Sequence, residues 1–117
     1  MSDFETRLFI NGEFVQGQGA VEIAFEPALG TPLAEVASAS PAQIDAAVAA
    51  AHAAYKGWAQ TTPKQRSAAL WRIADLIEER ADILANVESR NAGKPLRFVK
   101  AGELANVADV FRFYTTA

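Results

Sequence analysis

The chain has 117 residues, of which 50% are hydrophobic and 21% charged, a balance that fits one globular domain and excludes an intrinsically disordered chain. The presence of 0 cysteines and 1 histidine excludes a disulfide framework, a cysteine zinc site, an iron–sulfur cluster and a multi-histidine metal site within these residues. The formal charge of -3 argues against nucleic acid or an anionic membrane as the main partner, because both select a basic face.

The first third of the sequence predicts β-structure. Asn11-Gly12 separates two short apolar runs and favours a type I′ hairpin turn, in which both central residues need positive φ. Gly17-Gln18-Gly19 predicts a second hairpin turn, and Val21–Phe25 then alternates with the period of a strand. Glu26–Pro32 holds two prolines and a glycine and predicts a loop, after which residues 33–36 predict a short strand.

The rest of the chain predicts about four helices. Ser40 and Thr62 are each followed by proline at the first helical position and glutamine at the third, which is the pattern of a capping box. Gly57 is expected to close the first helix, and Gly102 to weaken the last. Helices are predicted at about Pro41–Lys56, Pro63–Glu79, Ala81–Asn91 and from about Arg97 onward. Helical spacing predicts that their core faces carry Leu70, Ile73, Ala74, Ile77, Ile83, Leu84, Val87, Leu104, Val107, Ala108 and Phe111.

The predicted organisation is a β-rich part at 1–38 and a helical part at 39–117. The last helix runs to Ala117 without a glycine, asparagine or proline stop and ends in a cluster of aromatic residues. We therefore expect the sequence to be cut on its C-terminal side from a longer subunit. The acidic opening run Met1–Arg7 does not have the form of a signal peptide, and we expect a cytoplasmic protein.

The residues alone predict no self-contained active site. His52 has no acidic residue or second histidine at ligand spacing and is interpreted as a surface or packing histidine. The glycines at 17 and 19 begin a dinucleotide-binding pattern that breaks at Glu22, and Gly93-Lys94 lacks the other residues of a phosphate-binding loop.

One acidic pair lies near aromatic residues. Glu103 and Asp109 precede Phe111, Phe113 and Tyr114. Acidic groups beside aromatic rings can hold an ammonium group by charge and by cation–π attraction. The same pair also fits an ordinary solvated helix surface, and composition and spacing leave both interpretations open.

Several short motifs follow one another at characteristic spacings. They are the hairpin Leu8–Val15, the loop Glu26–Gly30, the helix with Ile44–Val48, Ala53-Ala54-Tyr55 and Trp58, the helix with Thr62-Pro63, Arg66, Leu70 and Ile73–Glu78, and the block Glu88–Pro95. In this order they resemble the N-terminal segment of the aldehyde dehydrogenase superfamily. Glu88–Leu96, Glu103 and Asp109–Phe113 look most like the gamma-aminobutyraldehyde and betaine-aldehyde dehydrogenases.

The resemblance implies an α/β fold, with this chain as the start of the Rossmann-like NAD-binding domain; the segment alone is predicted to be α+β. It implies NAD(P)-dependent oxidation of an aldehyde, such as gamma-aminobutyraldehyde, by a full-length homo-oligomer (a dimer or tetramer). Glu103 and Asp109 would receive the cationic end of the substrate. Backbone carbonyls of Ala24 and Phe25, with Asn91, would bind a monovalent cation such as K⁺ or Na⁺.

In that family a cysteine thiolate attacks the aldehyde, an asparagine and a backbone N–H stabilise the oxyanion, hydride passes to nicotinamide, and a glutamate activates water. The resemblance places these residues and the nucleotide-binding loops downstream of this segment. We therefore predict no catalytic or cofactor-binding residue in this chain, and no activity of the 117 residues alone. The alternative is a stand-alone, non-catalytic helical module that binds a partner.

Overall fold

The computed structural model describes residues 4–116, which form two compact units, one ending at Gln60 and the other beginning at Thr61. Each unit is described separately below. No helix among residues 4–116 is both long enough and apolar enough to cross a membrane.

The first unit begins with the predicted hairpin. Strands β1 (Leu8–Ile10) and β2 (Glu13–Val15) pair in antiparallel register. Asn11 and Gly12 both have positive φ, at 53° and 83°, as a type I′ turn requires. The Asn-Gly signal is therefore confirmed.

A second antiparallel pair follows, made of β3 (Val21–Glu26) and β4 (Thr31–Ala37). The bounds predicted for the loop, Glu26–Pro32, are wrong at both ends, because β3 includes Glu26 and β4 begins at Thr31. Proline is tolerated at position 32 because each strand of a two-stranded sheet is an edge strand. The register shifts between Ala24 and Phe25, which marks a β-bulge or a similar irregularity.

The prediction of a hairpin turn at residues 17–19 is wrong. In the described part of the chain, β2 pairs with β1 and β3 with β4, so this segment links two separate sheets. Its glycines are needed for close approach: a Cβ at Gly17 would lie 2.1 Å from the Ala37 carbonyl oxygen, and one at Gly19 would lie 2.8 Å from the Ser38 carbonyl oxygen. The Gly19 amide donates to that Ser38 oxygen at 2.7 Å.

Helix α1 (Pro41–Ala59) completes the first unit, and its capping box at Ser40 is confirmed. The Gln43 side chain also holds the segment before β3, because its Oε1 accepts from the Gln18 amide at 2.9 Å and its Nε2 donates to the Gln16 carbonyl at 2.8 Å. The predicted end at Gly57 is wrong, since the helix continues to Ala59. One interior glycine costs a helix only about 1 kcal/mol relative to alanine, which neighbouring turns can offset.

The second unit is helical throughout. It contains α2 (Pro63–Glu79), α3 (Ala81–Ala92), the single turn α4 (Leu96–Phe98), a π-helical segment (Val99–Glu103) and α5 (Leu104–Phe113). The bounds of α2 and its capping box at Thr62 match the prediction. Gly93 ends α3 with φ 75°, and Gly102 lies inside the π-helical segment that interrupts the last predicted helix.

The last helix stops earlier than predicted. Helix α5 ends at Phe113, and the Thr115 and Thr116 hydroxyls donate to the carbonyls of Arg112 and Phe113 at 2.6 and 3.0 Å. These hydroxyls supply partners for the carbonyls that a helix end leaves open, so no glycine is required. Ala117, to which the predicted helix extended, lies outside the described residues.

The buried apolar residues are small. They are Ala37, Ala74, Ala85, Val99 and Ala108. Helix α2 contacts α5, and each contributes one buried alanine, at positions 74 and 108. Several larger members of the predicted core faces are exposed instead, including Ile73, Ile83, Leu84, Val87 and Val107. The predicted core faces of α2 and α5 therefore do contain the buried residues of these helices. Those residues are the alanines at positions 74 and 108 rather than the larger side chains.

The close approach at Gly17 predicts a large effect of one methyl group. In the product of the complete reading frame, Gly17→Ala should lower the free energy of unfolding by more than about 2 kcal/mol, because the added carbon meets backbone that cannot rotate away. Gly57→Ala is the matched control: its Cβ meets nothing within 4 Å, and inside α1 it should stabilise by about 0.5–1 kcal/mol. The midpoints of urea unfolding measure the effects of both substitutions on stability. Equal effects would contradict the close packing of Gly17 against the Ala37 carbonyl.

Candidate functional site

Asp109, the second of the predicted substrate acids, lies beside a guanidinium that joins α2 to α5. Arg112 donates from Nη1 and Nη2 to the two carboxylate oxygens of Glu78, at 2.7 and 2.6 Å. Its Nη2 is also 3.5 Å from Asp75 Oδ1, and the guanidinium carbon lies 5.5 Å from the centre of the Trp71 ring. Asp109 Oδ1 is 3.6 Å from Arg112 Nη1, one turn away on α5. We call these five residues the Arg112 cluster.

The acids of the Arg112 cluster differ in their hydrogen bonding to Arg112 and in their exposure to solvent. Hydrogen bonding to Arg112 lowers the pKa of Glu78, and the same bonds raise the pKa of Arg112. The Arg112 side chain is only 23% exposed, and among the acids of the cluster Asp109 is 76% exposed, against 49% for Asp75 and 52% for Glu78. Asp109 is therefore the acid of this cluster that a solvent-borne cation reaches most easily.

Glu103, the first predicted substrate acid, lies in a different cluster. It is the last residue of the π-helical segment, and its Oε2 is 3.0 Å from Lys94 Nζ. Lys94 also lies 2.8 Å from Glu88 Oε1, and hydrogen bonds to Glu88 and then Glu103 raise the pKa of Lys94. Ser89 Oγ donates to the Lys94 carbonyl at 2.7 Å, which holds the residue against the end of α3. Glu88, Lys94 and Glu103 form the Lys94 cluster.

The two predicted acids are thus assigned to separate clusters, each with a basic partner that the sequence analysis missed. Arg112 follows Asp109 by three residues, so helical spacing could have revealed that pair. Lys94 is nine residues from Glu103, with α4 and the π-helical segment between them, and no sequence spacing predicts that contact. Of the nearby aromatic residues, Phe113 and Tyr114 are exposed and stack edge to face with ring centres 5.2 Å apart.

The residues predicted to hold a monovalent cation are placed as follows. Ala24 and Phe25 lie in β3 of the first unit, on either side of the register shift, and Asn91 is an exposed residue in the last turn of α3 in the second unit. A bulge disrupts the regular ladder and can leave a carbonyl available to a ligand. Residues 4–116 contain no group of three or more histidine, cysteine or acidic side chains placed to hold a metal. His52 is exposed on α1.

Comparison with known proteins identifies the family. The sequence profile described as the aldehyde dehydrogenase family matches residues 14–117. The chain belongs to the aldehyde dehydrogenase family. The fold prediction, with β-hairpin strands followed by helices, is confirmed by solved aldehyde dehydrogenases that superpose on nearly the whole chain.

Three solved structures illustrate the similarity. An aldehyde dehydrogenase from Bacillus cereus, solved as an NAD⁺ complex, is 35% identical with a TM-score of 0.90, over 97% of this chain and 24% of that one. HpcC from Thermus thermophilus is 38% identical with a TM-score of 0.92, over 98% of this chain and 22% of that one. An NAD-dependent benzaldehyde dehydrogenase from Corynebacterium glutamicum is 26% identical with a TM-score of 0.91, over 97% of this chain and 25% of that one.

This chain therefore spans about a quarter of the length of the solved structures that it matches.

The Arg112 cluster predicts a pH dependence. Because the pKa of Glu78 is lowered from 4.5 in the folded state, the stabilisation from its bond with Arg112 is complete above that pH and is lost as the pH falls through the lowered pKa. In the product of the complete reading frame, the thermal midpoint of Arg112→Met should therefore lie below that of the wild type at neutral pH. The difference between the two midpoints should become smaller as the pH falls through the lowered pKa of Glu78.

Arg72→Met is the matched control, because Arg72 pairs with Glu79 within α2 alone, and both of these side chains are more than half exposed. Its midpoint should differ little from that of the wild type at neutral pH. A gap for Arg112→Met that stays constant from neutral pH to well below pH 4.5 would contradict the assignment.

Proposed function

We propose that the complete protein oxidises an aldehyde to a carboxylic acid with NAD⁺ or NADP⁺ as hydride acceptor, as a cytoplasmic homo-oligomer. The match of the aldehyde dehydrogenase family profile to residues 14–117 carries this proposal. NAD is favoured as the cofactor because one similar structure is an NAD⁺ complex and another is described as NAD-dependent.

In this proposal the 117 residues supply scaffold and substrate contacts, and the groups that carry out the reaction belong to other residues of the complete protein. The chain contains 0 cysteines, so a thiolate nucleophile for attack on the aldehyde must be supplied by other residues of the complete protein. When bound, the nicotinamide would accept the hydride. The 117 residues alone should produce no NADH from any aldehyde.

An assay of NADH formation tests the function. The product of the complete reading frame, supplied with NAD⁺ and an aliphatic aldehyde, should form NADH, and the 117-residue chain should not. NADH formation by the 117-residue chain, or none by the complete product with a panel of aliphatic, aromatic and amino aldehydes, would refute the proposal.

A separate thermal-unfolding experiment tests the proposed monovalent cation at Ala24, Phe25 and Asn91. Replacing K⁺ and Na⁺ by choline should lower the thermal midpoint of the complete protein, because a bound ion stabilises only the folded state. Asn91→Asp adds a charged oxygen ligand and should strengthen the ion dependence. A midpoint that is independent of the cation in both proteins would exclude the site.

We further propose an aminoaldehyde as the substrate, with Glu103 and Asp109 attracting its ammonium group. Two observations support this proposal. Acidic groups outnumber basic ones in both clusters, with two acids to one lysine in the Lys94 cluster and three to one arginine in the Arg112 cluster. Exposed aromatic rings, those of Phe113 and Tyr114, follow Asp109 on the chain and could add cation–π attraction.

A double variant tests the substrate class. In the complete protein, Glu103→Gln with Asp109→Asn should raise KM for gamma-aminobutyraldehyde roughly tenfold, a loss of about 1.4 kcal/mol, and leave KM for butyraldehyde unchanged. Asp82→Asn is the matched control, because Asp82 is also exposed in the second unit but pairs with Lys100 outside both clusters. Equal changes in KM for the two aldehydes would rule out ammonium recognition.

A further inference from the structure

The sequence contains four asparagines, and one of them differs from the others in its backbone surroundings. Asn11 is followed by Gly12 in the turn between β1 and β2. Asn86 and Asn91 lie in α3 and Asn106 lies in α5, and each is followed by valine or alanine. All four are exposed, so access to water does not distinguish them, whereas the local backbone does.

The turn leaves the amide nitrogen of Gly12 accessible. In a two-residue hairpin the backbone hydrogen bonds join the residues that flank the turn, here Ile10 and Glu13, so the pairing does not use the Gly12 N–H. A Cβ at Gly12 would meet nothing within 4 Å, so no atom beyond the neighbours in the chain shields this side of the residue. In α3 and α5, by contrast, the amide after each asparagine belongs to the helical hydrogen-bond pattern.

We propose that Asn11 is a site of spontaneous covalent modification at which Gly12 supplies the nucleophile. Hydroxide removes the proton of the Gly12 amide, and the amide nitrogen attacks Cγ of Asn11. The Cγ–Nδ2 bond breaks, ammonia leaves with a proton taken from water, and a cyclic succinimide remains. Water then adds to either ring carbonyl and opens the ring, which gives aspartate or isoaspartate at position 11. The net change converts an amide and a water molecule into a carboxyl group and ammonia, so no oxidant or reductant is required.

Ring closure requires the turn to open transiently. The first central residue of a type I′ turn has ψ of about +30°, and the Gly12 nitrogen reaches Cγ only after rotation about that bond. Strands β1 and β2 have three residues each, and a two-stranded hairpin of this kind is only marginally stable by itself, so local opening is easy. Isoaspartate would carry the main chain through the former side-chain carbon. The added backbone atom would disrupt the register in which Ile10 pairs with Glu13.

The inference goes beyond the reaction proposed above and is tested without any measurement of activity. The folded product of the complete reading frame is incubated at mildly alkaline pH, and peptide mass spectrometry follows the conversion of each asparagine amide into a carboxyl group. Position 11 should convert at least about tenfold faster than positions 86, 91 and 106, which are the matched controls within one sample. A protein isoaspartate methyltransferase, which methylates isoaspartate and not aspartate, should label the peptide that contains position 11.

A variant separates the turn from the dipeptide. Val87→Gly places the same Asn-Gly dipeptide inside α3, where position 86 should stay slow in the folded protein and become as fast as position 11 after unfolding in urea. Val107→Gly does the same in α5 and replaces the first variant if that fails to fold. Equal rates at position 11 and at the helical asparagines of the unsubstituted protein would overturn the proposal. So would a product at position 11 that contains no isoaspartate, or a helical Asn-Gly that reacts as fast as position 11 in a folded variant.

Discussion

The small size of the buried apolar residues is the constraint on which the rest of the structure depends. Four of the five are alanines, and the fifth is Val99. Alanine at a helix contact allows close approach but removes little apolar surface from water, and burial of such surface is the main source of folding free energy. The helices and strands are well formed locally. Because the buried residues are small, most of the large apolar side chains are exposed and remain available for contacts beyond these residues.

Polar contacts determine how the local elements begin and how they are joined. The capping boxes at Ser40 and Thr62 begin α1 and α2, and Gln43 additionally holds the segment that leads into β3. The Arg112 cluster joins α2 to α5, and the Lys94 cluster joins the end of α3 to the π-helical segment. Exposed ion pairs contribute little to stability, so we attribute to the Lys94 cluster mainly a role in orientation. The Arg112 side chain is only 23% exposed, and its bonds to Glu78 also stabilise the contact between α2 and α5.

Features that depend on neighbouring residues could be predicted from the sequence. The Asn11-Gly12 turn, the two capping boxes and both ends of α2 are of this kind, because the interacting groups lie within a few residues of one another. Features that depend on distant contacts could not. Gly17 is required by the Ala37 carbonyl twenty residues away in β4, and Glu103 pairs with Lys94 beyond α4 and the π-helical segment. The sequence shows that Glu103 and Asp109 are acids near aromatic residues and, by helical spacing, that Arg112 can pair with Asp109, but not that Lys94 pairs with Glu103.

We infer that these residues form part of an aldehyde dehydrogenase fold and that their stability depends on contacts beyond them. Thermal unfolding of the 117-residue chain, followed by circular dichroism beside the product of the complete reading frame, tests it most directly. We predict a gradual loss of helix in the 117-residue chain and a cooperative transition in the complete product. A single sharp transition of the 117-residue chain alone, at the temperature of the complete product, would contradict the claim.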